Sequence, residues 1–361
     1  MKRVGIWGSY NYGNFGDDLM AICIAEYLKQ FSIQPIVYRL DKELAKAHYI
    51  CSENDISKFV EDSDFIIIGG GGMLVNNGFF KRILSPVSRN FELDFFFLLK
   101  EIKKYKKFAY AISIGGDMQK IVNFSKFRKD LFLSANFKGG TVRLISDIEK
   151  HKSFKKDFLY FPDILFYKGN YKKLVNYNLS FPNYDFNRYK YIGLNLFAKE
   201  INSIDLVQDL LKCKREFPNV KFVFLISHLK GYDLSYEFFL KNYPDNCSIY
   251  RYDNISDFLS FLSNLSLIIS SKLHIGLVSL MLNVPFLSFK GKEKTRNQLN
   301  QIKKSNDVFV DNLDLFEITI KFSENSFTIE NLYSKDKIIN NSIDSFGHYL
   351  FLDQLIKKSY E

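Results

Sequence analysis

Ser270-Ser271-Lys272-Leu273-His274-Ile275-Gly276 is the segment of this chain with the clearest capacity for chemistry. It runs off an apolar stretch, Leu265 to Ile269, into a helix-like segment that ends near Asn283 and Pro285. The first turn of a helix has unpaired N–H groups and the positive end of the dipole, so it attracts an anion. Lys272 and His274 would flank that turn, adding a cation and a ring that titrates near neutrality. Such a pair suits phosphate binding and general acid/base work. A lone histidine is more often structural, and the position at a strand end is what favours function here. Further on, Lys290-Gly291-Lys292-Glu293-Lys294-Thr295-Arg296 reads as a basic loop after a strand Phe286 to Phe289. Most such runs are solvated faces, but this one falls at another strand end of the same half.

Three weaker signals lie earlier. Gly8-Ser9-Tyr10-Asn11-Tyr12-Gly13-Asn14-Phe15-Gly16-Asp17-Asp18 joins the first strand to the first helix. Its glycines permit positive φ and let backbone N–H groups approach an anion at the helix start. The spacing is not G-x-G-x-x-G and no Gly-Lys-Ser/Thr follows, so nicotinamide and Walker-type sites are excluded. The bland alternative is a tight turn, with Asp17 and Asp18 as helix caps. Gly69-Gly70-Gly71-Gly72 follows an apolar run and suits close approach of a substrate or of a neighbouring helix alike. Asp62-Ser63-Asp64 resembles a metal-binding D-x-D but sits on the entry side of its strand, which argues against a metal. Arg143, after Thr141-Val142, and Asp163, after Pro162, each read in isolation as surface residues.

The elements that must position these groups alternate. Arg3 to Trp7, Pro35 to Leu40, Phe65 to Ile68 and Phe108 to Ile114 read as strands, and Asp17 to Gln30, Ile56 to Asp62 and Phe91 to Lys106 as helices. A further glycine turn, Gly115-Gly116-Asp117, follows the fourth strand. The stretch from Phe154 to Lys190 has little periodicity and reads as a crossover between halves. The rhythm then returns with Tyr191 to Leu196, Ile204 to Phe217, Val220 to Ile226, Ile255 to Leu262 and Leu265 to Ile269. Strands alternating with helices predict parallel α/β sheets whose sites lie at strand carboxyl ends. Two such halves, residues 1–170 and 171–361 with a helical tail, predict a ligand cleft between them.

Composition bounds the reading. With 361 residues, 47% hydrophobic and 25% charged, the chain can build more than one core. A formal charge of +10 favours anionic partners without choosing among metabolites, lipid headgroups and nucleic acid. The four cysteines have no C-x-x-C spacing, so neither a zinc site nor a disulfide framework is expected, and a reducing cytoplasm is the simplest compartment. No run approaches the ~20 apolar residues of a membrane span.

Taken in order, Asn14-x-Gly16-Asp17, the apolar run into Gly69 to Gly72, Val142-Arg143, Pro162-Asp163, Ser271-Lys272-Leu273-His274 and Pro285 with its lysine loop resemble the polysaccharide pyruvyl transferase family. The resemblance implies two Rossmann-like domains in a GT-B-like fold and transfer of pyruvate from phosphoenolpyruvate to sugar hydroxyls as a ketal, during synthesis of a bacterial surface polysaccharide. It implies Arg143, His274 and Lys294 as catalytic groups. Tyr12, Asn14, Phe15, Gly16, Asp17, Gly70, Gly71, Gly72, Ser271 and Lys272 become substrate-binding residues. No cofactor or metal is implied. The expected partners are phosphoenolpyruvate and a sugar, oligosaccharide or lipid-linked acceptor. No nucleic acid is expected, and the location is cytoplasmic, with room for peripheral contact at the inner membrane face. Two departures stand out. Leu144 follows the arginine where the family commonly has an acid, and Lys272 stands for an arginine, keeping the charge without the bidentate fork. A GT-B glycosyltransferase with a nucleotide-sugar donor and a non-catalytic membrane- or polyanion-binding protein using the +10 surface remain the rivals.

Overall fold

The computed structural model describes residues 2–74, 84–116, 124–151, 154–196, 204–229 and 246–360. The chain forms two compact units, Met1–Tyr167 with Ser342–Glu361, and Lys168–Asn341. The sequence assigned the whole tail to the second domain, and here the structure differs. Helix Gly347–Tyr360 buries His348, Tyr349, Leu352, Leu355 and Ile356 within the first unit. Tyr27 meets Tyr349 with ring centroids 4.3 Å apart and donates to Asp353 at 2.9 Å, and Tyr360 donates to Asp64 at 3.0 Å.

In the first unit β1 (Arg3–Trp7), β2 (Gln34–Tyr38), β3 (Cys51–Glu53), β4 (Phe65–Gly69), β5 (Ala109–Ile114), β6 (Phe137–Val142) and β7 (Phe158–Tyr160) form one sheet ordered β3-β2-β1-β4-β5-β6-β7. Every pairing is parallel. A parallel sheet is covered on both faces, which is why β4 is a continuous buried run of Phe, Ile and Gly. Helix Phe15–Lys29 follows β1 and is apolar nearly all round, burying Phe15, Leu19, Met20, Ile22, Ile24 and Leu28. Helix Pro86–Lys104 starts earlier than its periodicity shows, because Ser85 caps it and Pro86 takes the first turn.

The second unit repeats the plan. β8 (Lys190–Asn195), β9 (Val220–Ile226), β10 (Cys247–Arg251), β11 (Leu267–Ser270), β12 (Phe286–Phe289) and β13 (Phe309–Val310) form a parallel sheet ordered β10-β9-β8-β11-β12-β13. Both orders contain the 3-2-1-4-5-6 arrangement of the Rossmann fold. In that arrangement the order reverses between the first and fourth strands, here β1 and β4 in one unit and β8 and β11 in the other. Ligands bind outside the carboxyl ends of the strands at that reversal.

Candidate functional site

At the reversal of the first unit, the chain leaves β1 into a single 3-10 turn, Tyr10–Tyr12, and passes through Gly13 at φ 61°. Asn14 then caps helix Phe15–Lys29: its Oδ1 accepts from the Gly16 N–H at 3.3 Å while its Nδ2 donates to Asp17 at 3.0 Å. The buried Tyr10 hydroxyl donates to the Gly69 carbonyl at 2.5 Å, joining the loop after β1 to the turn after β4. That turn holds Gly70 at φ +59° and Gly71 at φ +77°. A Cβ on Gly71 would lie 2.8 Å from the Asp17 carboxylate. Close packing on the first helix therefore accounts for the glycines at 70 and 71. A buried Arg128–Glu92 ion pair of 2.6 Å supports the end of the glycine run, since Arg128 also donates to the Met73 carbonyl at 3.0 Å. Burial holds the Tyr12 phenol above its usual range, with Asp94 adding to it and Asn11 and Arg39 opposing, so the hydroxyl stays a donor at neutral pH.

Next along the same edge, Gly115 follows β5 and Arg143 follows β6. A Cβ on Gly115 would stand 2.6 Å from the Arg143 Nε, so only glycine lets that side chain lie across the strand end. Arg143 pairs with Asp163 at 2.8 Å, and the two side chains are 1% and 0% exposed. Sequence alone read both as surface residues. The structure buries them, because the pair neutralises itself and Asp163 also accepts from the Leu165 N–H at 3.0 Å. The tail braces this corner. Ser345 donates to the Asp163 carbonyl at 2.9 Å, and His348 lies between the Thr141 hydroxyl at 2.7 Å and the Pro162 carbonyl at 2.9 Å. A carbonyl only accepts, so Nε2 carries the proton and Nδ1 accepts from Thr141.

Burial pushes the His348 pKa from 6.5 down to about 4; Arg143 acts in the same direction, and the Pro162 carbonyl and Asp163 oppose it. The folded form thus resists protonation that the unfolded chain accepts. The neutral ring's contribution is whole above 6.5 and is lost as the pH falls toward 4. The shift corresponds to about 3 kcal/mol. Denaturant titrations taken from neutral pH to pH 4 should show that loss in the wild type, and a His348→Gln variant should lack this part of the slope.

At the reversal of the second unit, β11 ends at Ser270 and Lys272 is the N-cap of helix Leu273–Met281. The Ser270 hydroxyl donates to Asn195 Oδ1 at 2.9 Å and accepts from the Lys272 N–H at 3.0 Å. Asn195, at the end of β8, donates to the Leu225 carbonyl at 2.7 Å and to Ser227 at 3.3 Å. Lys272 Nζ donates to Ser227 at 2.7 Å, which fixes the ammonium group over the carboxyl ends of β8 and β9. His274 is the second residue of the helix and half-buried, so its ring is not sealed in the core.

The structure brings Lys272 and His274 onto one helix start and gathers Tyr12, Asn14, Gly16, Asp17, Gly70, Gly71 and Gly72 at one strand reversal. Phe15 is fully buried, so it supports the loop from within. Lys294 was expected on a loop. It lies instead on helix Glu293–Ile302, capped by Lys292, which places it and Arg296 in the first turn. The Ser271 hydroxyl is buried. Asp62 and Asp64 hold Arg3, through its guanidinium at 3.1 Å and its N–H at 2.8 Å. Among the described residues no group of three His, Cys, Asp or Glu could hold a metal ion. The sequence missed Asn195 and Ser227; the signal available was a polar residue ending an otherwise apolar strand.

Two parallel sheets of Rossmann order, each with its polar loops at the strand reversal, define an α/β protein of two Rossmann-like domains, GT-B-like in class. Solved structures share the fold. The S. aureus MnaA-UDP co-structure matches with TM-score 0.66 at 12% identity, covering 98% of this chain and 96% of that one. The UDP-GlcNAc 2-epimerase from Neisseria meningitidis bound to UDP-GlcNAc matches with TM-score 0.63 at 10% identity, covering 99% and 100%. That from Methanocaldococcus jannaschii matches with TM-score 0.61 at 11% identity, covering 98% and 100%. At such identities the likeness is one of fold. The family model for polysaccharide pyruvyl transferase matches residues 14–292, and the chain belongs to that family. A search among curated proteins found no match.

Proposed function

We propose that this chain transfers pyruvate from phosphoenolpyruvate to two hydroxyls of a sugar, forming a ketal on a cell-surface polysaccharide or its precursor, in the cytoplasm. The observation that carries the reading is the half-buried His274 on the first turn of a helix at the strand reversal, next to an ammonium group fixed by Ser227. His274 gives a proton to the methylene carbon of the donor, which leaves its central carbon electron-poor and open to a sugar hydroxyl. The second hydroxyl then displaces phosphate from the same carbon. One hydroxyl proton ends on the methyl group and the other leaves with phosphate, so a single proton-shuttling ring serves both additions.

Lys272 and the helix N–H groups match the donor's phosphate, and Ser271 lies in the same turn. Lys294 adds a second cation at a helix start. Arg143 is the arginine of the first unit in this reading, its plane set by Asp163 and its approach by Gly115. Tyr12, Asn14, Phe15, Gly16 and Asp17 form the donor loop, with Gly70, Gly71 and Gly72 beside it. The scheme asks for no metal or cofactor.

The shared fold with UDP-sugar enzymes favours one competing reading, a nucleotide-sugar donor. Thermal unfolding with phosphoenolpyruvate and, separately, with UDP-N-acetylglucosamine distinguishes them. The proposal expects a rise in Tm with phosphoenolpyruvate that Lys272→Ala reduces. A rise with the UDP-sugar alone would overturn it.

A further inference from the structure

Helices Pro86–Lys104 and Lys126–Leu133 pack side by side in the first unit and leave an apolar groove of about 350 Å³ on their outer face. Inward, the first helix buries Phe95, Leu98 and Ile102. Outward it presents Phe96 and Phe97 at 43% and 42% exposure, and the second helix presents Leu133 at 53%. The Phe96 ring centroid lies 5.4 Å from those of Phe97 and Phe127, so the exposed rings form one patch. Lys100 and Lys103 line the groove, Lys126 is exposed on the second helix, and Asp130 is the one carboxylate among the lining residues. The turns after the two helices are joined where Asn136 donates to the Lys107 carbonyl at 2.9 Å. Beside that joint an exposed Phe108 carries Lys138 4.4 Å above its ring.

We propose that this face docks on an anionic lipid surface, with Phe96, Phe97 and Leu133 entering the headgroup layer and Lys100 and Lys103 meeting lipid phosphates. Exposed aromatic rings interleaved with lysines match a surface that is negative outside and apolar just beneath. Lysine stems lie along apolar surface while their ammonium groups reach the phosphates. The charge favours lipid over a second copy of this chain, because a second copy would bring the same basic face, with Asp130 as the one lining carboxylate to offset Lys100 and Lys103. No helix among the described residues is long and apolar enough to cross a membrane, so the contact lies in the plane of the interface.

The test is co-sedimentation of the full chain with vesicles of phosphatidylcholine, with and without phosphatidylglycerol, at low and high salt. The expected result is binding only where phosphatidylglycerol is present, weakened by salt. Lys100→Ala/Lys103→Ala should weaken it roughly thirtyfold. Phe96→Ser/Phe97→Ser should weaken it at unchanged charge, and Lys172→Ala/Lys173→Ala, exposed in the second unit, should leave it near wild type. The proposal is overturned by equal loss in the Lys172/Lys173 control, by wild-type binding in both groove variants, or by no binding to phosphatidylglycerol. Self-association in solution that Phe96→Ser/Phe97→Ser abolishes, without vesicle binding, would assign the face to a second copy.

Discussion

Under the proposed function, His274→Gln should lower turnover with phosphoenolpyruvate by about 10²–10⁴-fold, the range for loss of a positioned acid/base, and should leave the protein folded. The residue stands half-buried on the first turn of its helix, so glutamine replaces it without opening a cavity. Its thermal midpoint should stay close to wild type, since substitutions outside the core usually shift stability by less than about 0.5 kcal/mol. Steady-state kinetics beside a melting curve check both halves of the expectation. If turnover fell only in step with the melting temperature, the ring would be a structural residue. If turnover held, the proton transfers would belong to another group.

Asp163→Ala has the largest expected effect on stability. The Arg143–Asp163 pair is 1% and 0% exposed, and truncating one partner leaves a charge buried without its counterion. That costs about 3–5 kcal/mol, roughly 6–20 °C in the melting of a unit this size. The loss of the bond to the Leu165 N–H at 3.0 Å acts in the same direction. The contrast is Asp311→Ala, which removes a still shorter pair, 2.5 Å to Arg296, in which the Arg296 and Asp311 side chains are 41% and 71% exposed. That pair is screened by water and its loss should cost less than about 1 kcal/mol. Differential scanning calorimetry of the two variants measures the difference directly. Similar shifts in both would mean that Arg143 finds solvent or another anion.

The interior strands were legible because a strand paired on both sides and covered on both faces must be apolar throughout. β1, β4, β8 and β9 announce themselves this way. Besides β6, the strands that the periodicity missed are β3, β7, β10 and β13, and all four are sheet edges. An edge strand needs fewer apolar residues and runs short, as in the three residues of Cys51–Glu53 and the two of Phe309–Val310. β6 was obscured for another reason. Gly139 and Gly140 adopt φ +91° and +143° and approach the Asp157 and Ala111 backbones too closely for a side chain.

The candidate site divides along the same line. Ser271, Lys272 and His274 could be read because one strand end and one helix start position them all. Arg143 and Asp163 were misread as surface residues because their burial depends on a pairing across twenty residues and on His348 and Ser345 from the far end of the chain. The tail carried no recognisable motif, yet it fastens the Pro162–Asp163 corner. Lys294 was placed on a loop since a basic run gives no helix start; Lys292 caps the helix without a side-chain hydrogen bond.

The most direct measurement is the fate of phosphoenolpyruvate itself. The full chain is incubated with phosphoenolpyruvate and a panel of hexosides of both anomers, and inorganic phosphate and the ketal methyl signal are followed by NMR. The account predicts phosphate release matched one for one by pyruvyl ketal, both lost in His274→Gln. Sugar transfer from a UDP-sugar donor that His274→Gln leaves intact would contradict it.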